Sequence, residues 1–292
     1  MAEPDPWTAA EAAARASGVT LRELDRPGDG RRVEQLTRVV WGTTEVAPPL
    51  LRAMAHAGAI LVGADDAQGE LVGCAVGFIG HADGMHCHSH LAGVLPAVEG
   101  RGIGRALKLG QRALCLRIAV AEMRWTYDPL LLRNAWFNLV RLGAVGHAFL
   151  PDFYGVMDDL QNRGDRGDRF EVRWWLPSAA TGSAAAAATG AAADLGGPRA
   201  AAPPRRLLDA VEMDGLARPV PAALEPGELA EVAIPLDYAG LRRLDPALAA
   251  DWRAAAAQAF ARCFQVGLAA TSVSRTGVYR FERRAATDAG RR

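Results

Sequence analysis

The stretch Val94-Leu95-Pro96-Ala97-Val98-Glu99-Gly100-Arg101-Gly102-Ile103-Gly104-Arg105 constrains this chain most, because an apolar strand runs there into a glycine-rich turn that opens a helix. Three glycines alternating with Arg101 and Ile103 let the backbone come close to a ligand, and a helix starting near Gly102 aims unpaired N–H groups at it. Such a turn binds phosphate. A dinucleotide fingerprint would need glycine three residues after Gly102, where Arg105 stands, and a P-loop would need Gly-Lys-Ser/Thr, which is missing.

Around that turn the pattern alternates between strand and helix. Residues 5–17 read as a short alanine-rich helix, Val19–Leu24 as a strand, and Arg31–Trp41 as a helix with Val33, Leu36, Val39 and Val40 on one side. Pro48-Pro49 start a second helix that ends by Gly58. Ala59–Asp65 and Glu70–Gly80 form a hairpin across Asp66-Ala67-Gln68-Gly69. His88–Leu95 is the next strand, and Gly102–Ile118 the next helix, with Ile103, Leu107, Leu114 and Ile118 on one face. Met123–Asp128 follow as a strand stopped by Pro129, Arg133–Leu142 as a helix stopped by Gly143, and Ala144–Leu150 and Phe170–Leu176 as a last pair of strands. The fold class is therefore α+β, a mixed α/β arrangement.

The segment resembles the acyl-CoA-binding motif of the GNAT N-acetyltransferase superfamily, Val-x-Pro followed by Arg/Gln-x-x-Gly-x-Gly/Ala, and the order of elements is the GNAT order. The resemblance implies that the strand end at Gly93, Val94 and Leu95 bonds a pantetheine arm. The turn from Glu99 through Gly100, Arg101, Gly102, Ile103, Gly104 and Arg105 would then hold the pyrophosphate of acetyl-CoA or another acyl-CoA. Glu99 stands where the family places Arg or Gln, whereas Arg101 and Arg105 can offset phosphate charge. A second similarity covers Asn134-Ala135-Trp136-Phe137-Asn138-Leu139 and Gly143, and it implies that Asn134 bonds the pantetheine amide. The family's frequent tyrosine, four residues before the glycine, is Leu139 here. Tyr154 and Tyr127 are the alternative acids for the departing thiolate.

His81, His86, His88 and His90 with Cys87 form a dense group, but no further ligand follows at a familiar spacing, so no metal is expected. Matched to the histone-acetyltransferase branch, His88 falls on the general-base position, with His90 second on the same face. A side chain of pKa near 6.5 suits the removal of an amine proton at neutral pH. The stretch from Trp125 to Gly155 is similar to a GNAT branch of amino-acid metabolism, which implies acetyl- or succinyl-CoA as donor and a small amine or amino acid as acceptor. Arg124, Arg133 and Arg141 are candidates for a carboxylate partner. A regulatory module that binds acyl-CoA without chemistry is the competing expectation.

Lys+Arg and Asp+Glu balance at 33 each, which leaves no electrostatic footprint for nucleic acid. Lys108 is the one lysine, every other basic residue being arginine, and reads as coding bias. Four scattered cysteines without a Cys-x-x-Cys pair, and a first stretch lacking a basic n-region, point to a reduced, cytoplasmic protein with no membrane segment. The domain expectation is a GNAT domain over 1–176, an Ala/Gly/Pro linker over 177–204, a small α+β extension over 205–284 and a tail over 285–292. The extension carries strands at Leu229–Ile234, Ala269–Ser274 and Val278–Glu282 and a long helix, Pro246–Val266, with Trp252, Ala256, Phe260 and Phe264 in a stripe. That stripe is expected to pack on the first domain or on a second subunit of a homodimer.

Overall fold

A computed structural model describes residues 5–155, 157, 159, 162–176 and 203–283. The linker expected over 177–204 falls outside them apart from Pro203 and Pro204, and the tail over 285–292 does so entirely. The chain divides into two compact units. One comprises Met1–Trp125, Asp158–Arg163 and Trp175–Pro177, the other Thr126–Met157, Gly164–Trp174 and Ser178–Arg292.

The first unit runs α1 (Pro6–Ala16), β1 (Thr20–Glu23), α2 (Asp29–Trp41), α3 (Pro48–His56), β2 (Ile60–Asp65), β3 (Leu71–Gly80), β4 (His86–Val94), α4 (Ile103–Arg117) and the first four residues of β5 (Glu122–Tyr127). Its strands lie in the order β1-β2-β3-β4-β5, antiparallel as far as β4, with β5 parallel to β4. Leu24, Val33, Leu36, Leu51, Leu61 and Val76 form the core between the sheet and helices α2 and α3. The helical period explains the one apolar residue of α2 that does not join it. Val39 sits six positions from Val33, across the helix axis, and is 59% exposed. Ile118, placed by sequence on the buried face of α4, lies at its C-cap, past the last helical turn, and is exposed.

The second unit contains α5 (Leu132–Ala135), β6 (Val145–Leu150), β7 (Arg169–Trp175), β8 (Arg205–Met213), β9 (Leu216–Pro221), β10 (Leu229–Ala233), α6 (Tyr238–Leu244), α7 (Pro246–Gln265), β11 (Leu268–Val273) and β12 (Val278–Arg283). Its strand order is β7-β6-β11-β12-β10-β8-β9, mixed because β10 and β8 run parallel. The helix expected over Arg133–Leu142 is one α-turn continued by a π-helical stretch, Trp136–Arg141, closed by Leu142 N–H donating to the Phe137 carbonyl at 3.0 Å.

The hairpin β8–β9 and helix α6 were not expected from sequence. Asp214-Gly215, both at positive φ, make its two-residue turn, a signal masked by flanking strands that are largely exposed and interrupted by Pro219. The aromatic stripe of α7 is core: Phe260 and Phe264 pack edge-on against Phe170 of β7 at 4.6 and 5.1 Å between ring centroids. Ala270 of β11 pairs with Gly146 of β6, so the segment from Arg205 onward extends the sheet begun by β7 and β6.

Candidate functional site

Strand β4 carries the site, and a β-bulge sets which way its side chains face. Val76 of β3 opposes Leu91 and Gly77 opposes Ser89, leaving His90 as an extra residue. Before the bulge, Cys87 and Ser89 point toward α4. There Lys108 Nζ donates to Ser89 Oγ at 2.7 Å, Ser89 Oγ donates to Gln111 Oε1 at 2.7 Å, and a Cβ on Gly77 would meet both Cys87 Sγ and Gln111. After it, Leu91 joins the core under α2, and a Cβ on Gly93 would come within 2.6 Å of the Trp41 ring. His88 and His90 therefore share the face opposite α4, with Phe78 of β3 beside them at ring-centroid distances of 5.2 and 6.3 Å.

The imidazole of His88 is half-buried. Burial first, then the neighbouring His90, His86 and Lys108, push its pKa down to about 4, well below the 6.5 expected of an exposed ring. Although His90 is exposed at its edge, loss of water around the ring lowers its pKa as well. His88 is thus neutral at physiological pH, with a nitrogen lone pair available. His86 is buried, with Nδ1 2.9 Å from the Gly84 carbonyl. Among the described residues no group of three His, Cys, Asp or Glu is placed to hold a metal ion.

Parallel pairing between β4 and β5 spans Cys87↔Met123 and His88↔Arg124 and goes no further. Successive residues of a strand turn their N–H and C=O groups to opposite flanks. Leu95 N–H donates to the Val72 carbonyl of β3 at 2.9 Å, so Val94 presents its backbone groups to the other flank, where β5 no longer pairs. A 3₁₀ turn over Pro96–Val98 then leads to Gly100 at φ +79° and Gly102 at φ +96°. Gly102 is the N-cap of α4, and no side chain caps the helix. Among the described residues no backbone acceptor takes up the N–H groups of Gly100, Arg101, Gly102, Ile103 or Gly104, the first turn bond being Arg105 N–H to the Gly102 carbonyl at 3.0 Å. Glu99, Gly100, Arg101 and Gly102 are exposed, Gly104 and Arg105 half-buried, and Ile103 is buried against the sheet. The predicted turn residues are therefore together, with backbone donors that no described backbone acceptor takes up and with Arg101 and Arg105 in the same stretch.

The remaining candidates, Arg124 apart, belong to the second unit. Asn134 lies in α5, half-buried, and Leu139 is buried in the π-helical stretch. Tyr154 is 39% exposed, shares a 3.2 Å hydrogen bond with Thr126 Oγ1, and has the Arg169 guanidinium 5.2 Å from its ring centroid. Tyr127 differs sharply: its hydroxyl is buried and shares a 3.2 Å hydrogen bond with Tyr279, and burial raises its pKa far above the ordinary phenol value. Arg124 is committed as well, donating to Glu122 and to the carbonyls of Ala82 and Asp83.

Sequence reasoning passed over Lys108, whose ammonium is 3% exposed, lies 3.9 Å from the Trp125 ring centroid, and is pushed by burial down to a pKa of about 7. The one lysine among 33 basic residues, placed on the helix that follows the turn, was the available signal.

No protein-family model and no curated protein matches the chain. Among solved structures, the fold is similar to a GNAT superfamily phosphinothricin acetyltransferase from Sinorhizobium meliloti in complex with AcCoA, at 18% identity and a TM-score of 0.45 over 55% of this chain and 89% of that one. It is similar to Chaetomium thermophilum Naa20 in complex with a bisubstrate analogue, at 18% identity and a TM-score of 0.44 over 55% and 87% of the two chains. A third similarity is to the ribosomal-protein-S18-alanine N-acetyltransferase of Escherichia coli, at 13% identity and a TM-score of 0.44 over 54% and 94%.

Proposed function

We propose that this chain is an acyl-CoA-dependent N-acyltransferase of the GNAT type, transferring an acetyl or succinyl group directly to the amine of a small molecule or amino acid. The observation that carries the reading is the end of the β4–β5 ladder at His88↔Arg124, followed by a glycine turn in which five N–H groups find no backbone acceptor among the described residues. An extended amide-bearing arm can bond the freed backbone of Val94, and a pyrophosphate fits a helix N-terminus whose glycines carry no Cβ to obstruct it. Arg101 and Arg105 supply the local positive charge that the chain's overall balance lacks.

In this reading the amine attacks the thioester carbonyl, and a backbone N–H at the β4 end stabilises the developing oxyanion. His88, neutral at pH 7, accepts the amine proton directly or through a water molecule. Collapse expels the thiolate, which leaves protonated; of the two phenols that the resemblance offers as the acid, the exposed Tyr154 suits proton donation better than the buried Tyr127. The binding of the long cosubstrate orients the thioester, which lowers the entropic part of the barrier. Four unbridged cysteines support a reducing compartment such as the cytoplasm, and no helix among the described residues is long and apolar enough to cross a membrane.

Incubation with acetyl-CoA and succinyl-CoA against an amine panel, read by release of free thiol, tests the proposal. Turnover is expected with at least one pair. A chain that binds CoA in calorimetry but turns over no donor would instead be a regulatory module.

A further inference from the structure

Three rings stand together on the face of the first unit that carries His88. Phe78 of β3 pairs in register with His88 of β4, and the bulge adds His90 to the same side. Their centroids form a triangle with sides of 5.2, 6.3 and 6.4 Å, and the ring planes are tilted by 35°, 46° and 33° from one another. Leu71–Gly77 are all buried, so Phe78 is where β3 first meets solvent, and it is 41% exposed. An open phenyl ring continuous with two imidazoles, one of them the candidate base, is the apolar wall of a small-molecule site.

The charge beside these rings is already engaged. Arg124, which the register places next to His88, is 4% exposed. It donates to the two Glu122 carboxylate oxygens at 3.1 and 3.0 Å and to the Ala82 and Asp83 carbonyls at 3.0 and 2.9 Å. An acceptor carboxylate would have to break that buried pair to reach the guanidinium. Lys108 is bound to Ser89, on the face toward α4. Both imidazoles are uncharged at neutral pH, because burial lowers them. What β3 and β4 present is aromatic and neutral, a surface suited to offset or edge-on contact with another ring.

We infer that Phe78 and His90 form the acceptor subsite, and that the acceptor is a primary amine carrying an aromatic ring on a short methylene arm, with no carboxylate beside the nitrogen. This rests on the acyltransferase reading with His88 as base. An amine within hydrogen-bonding reach of His88 leaves its ring against Phe78, because packed rings lie about 4.5–7 Å apart and His88 and Phe78 already stand at that spacing. Phe78 stays clear of the reacting atoms. Its effect falls on the KM for the amine and leaves the KM for acyl-CoA alone.

The full-length chain and its Phe78→Ala and Phe78→Leu variants are assayed by thiol release, with acetyl-CoA and succinyl-CoA as donors and 2-phenylethylamine, ethylamine and phenylalanine as acceptors. In parallel, 2-phenylethylamine is titrated into each protein by calorimetry in the presence of coenzyme A. The parent is expected to favour 2-phenylethylamine in kcat/KM about tenfold or more over both other amines. In Phe78→Ala the preference over ethylamine should collapse toward one, carried by the amine KM, and the binding heat should be lost. Phe78→Leu keeps the apolar bulk without the ring, so it should lie between, and it carries the test if the alanine variant does not fold. Phenylalanine or ethylamine used as well as 2-phenylethylamine by the parent would overturn the inference, as would a preference unchanged in both variants or an equal rise in the KM of acyl-CoA. Absence of thiol release with every donor and amine would overturn the acyltransferase reading instead. The titration then decides the subsite by itself: a parent that binds no 2-phenylethylamine, or a Phe78→Ala chain that binds it as tightly, would overturn it.

Discussion

Lys108 Nζ donates to Ser89 Oγ across 2.7 Å, with the Cys87 and Cys115 thiols and the His88 imidazole as electrostatic neighbours and no carboxylate paired with it among the described residues. A buried ammonium without a counter-ion is costly, which is why its pKa falls from 10.5 to about 7. The sign of the linkage follows. Between about 7 and 10.5 an unfolded chain holds a proton that the folded chain has released, so stability should rise with pH across that window, by roughly 1.4 kcal/mol per unit. Urea midpoints of the parent at pH 7 and pH 9 should differ in that direction, and Lys108→Met should remove the difference. Equal slopes in the two proteins would show that Lys108 stays charged.

His88 sets the pH profile of the proposed reaction. With its pKa at about 4, kcat/KM should keep its base-competent form down to about pH 5 and fall below that, not near 6.5 as an exposed imidazole would dictate. His88→Ala should lower kcat by roughly 10²–10⁴-fold with coenzyme A affinity nearly unchanged. A matching loss of affinity would make His88 a structural residue.

Gly102 is required for conformation and for space. Its φ of +96° lies where side chains are strained, and a Cβ would sit 2.8 Å from Ser17 Oγ at the end of α1. Gly102→Ala should cost about 1–2 kcal/mol of stability and weaken coenzyme A at least tenfold, since the amide donors move with the turn. Calorimetry and a thermal melt check the two effects separately.

The two tyrosines are expected to separate cleanly. Tyr154→Phe should lower kcat with little change in melting temperature, because its exposed phenol bonds only Thr126 Oγ1 among the described residues. Tyr127→Phe should cost about 1 kcal/mol by removing the hydrogen bond to the Tyr279 oxygen, whose own proton stays on the Pro129 carbonyl, and should leave kcat near the parent value. The reverse pattern in kinetics would move the acid to Tyr127.

A fragment of residues 1–180 should be insoluble or inactive. Phe170 packs against Phe260, Phe264, Tyr279 and Phe281, all absent from that fragment, and β6 loses its β11 partner. The fragment would expose an aromatic cluster and an open sheet edge, both routes to aggregation. Soluble, fully active material with unchanged KM would show the extension to be dispensable.

Much of this molecule is legible in local pattern. The glycine turn announces itself because positive φ and close backbone approach demand glycine at Gly100 and Gly102, wherever the rest of the chain goes. Strands β2, β3 and β4 and helices α2, α3, α4 and α7 follow from apolar periods that each segment carries by itself. Val39 and Ile118 were misplaced only where an apolar residue falls off the stripe or at a helix end. The hairpin β8–β9 escaped notice because its exposed faces lack the alternation that announces a strand.

Sequence by itself thus determined most of the elements, the glycine turn and the pair His88 and His90, since these depend on a residue's own conformational freedom and on its near neighbours. Tertiary structure alone decided the rest. It opened the flank of Val94 by ending the β4–β5 ladder, lowered His88 and Lys108 by burying them, withdrew the Tyr127 hydroxyl against Tyr279, and set Arg253 on Asp128. Those outcomes depend on desolvation and on contacts between residues up to 152 positions apart, and no local pattern encodes which distant group will remove the water from a side chain.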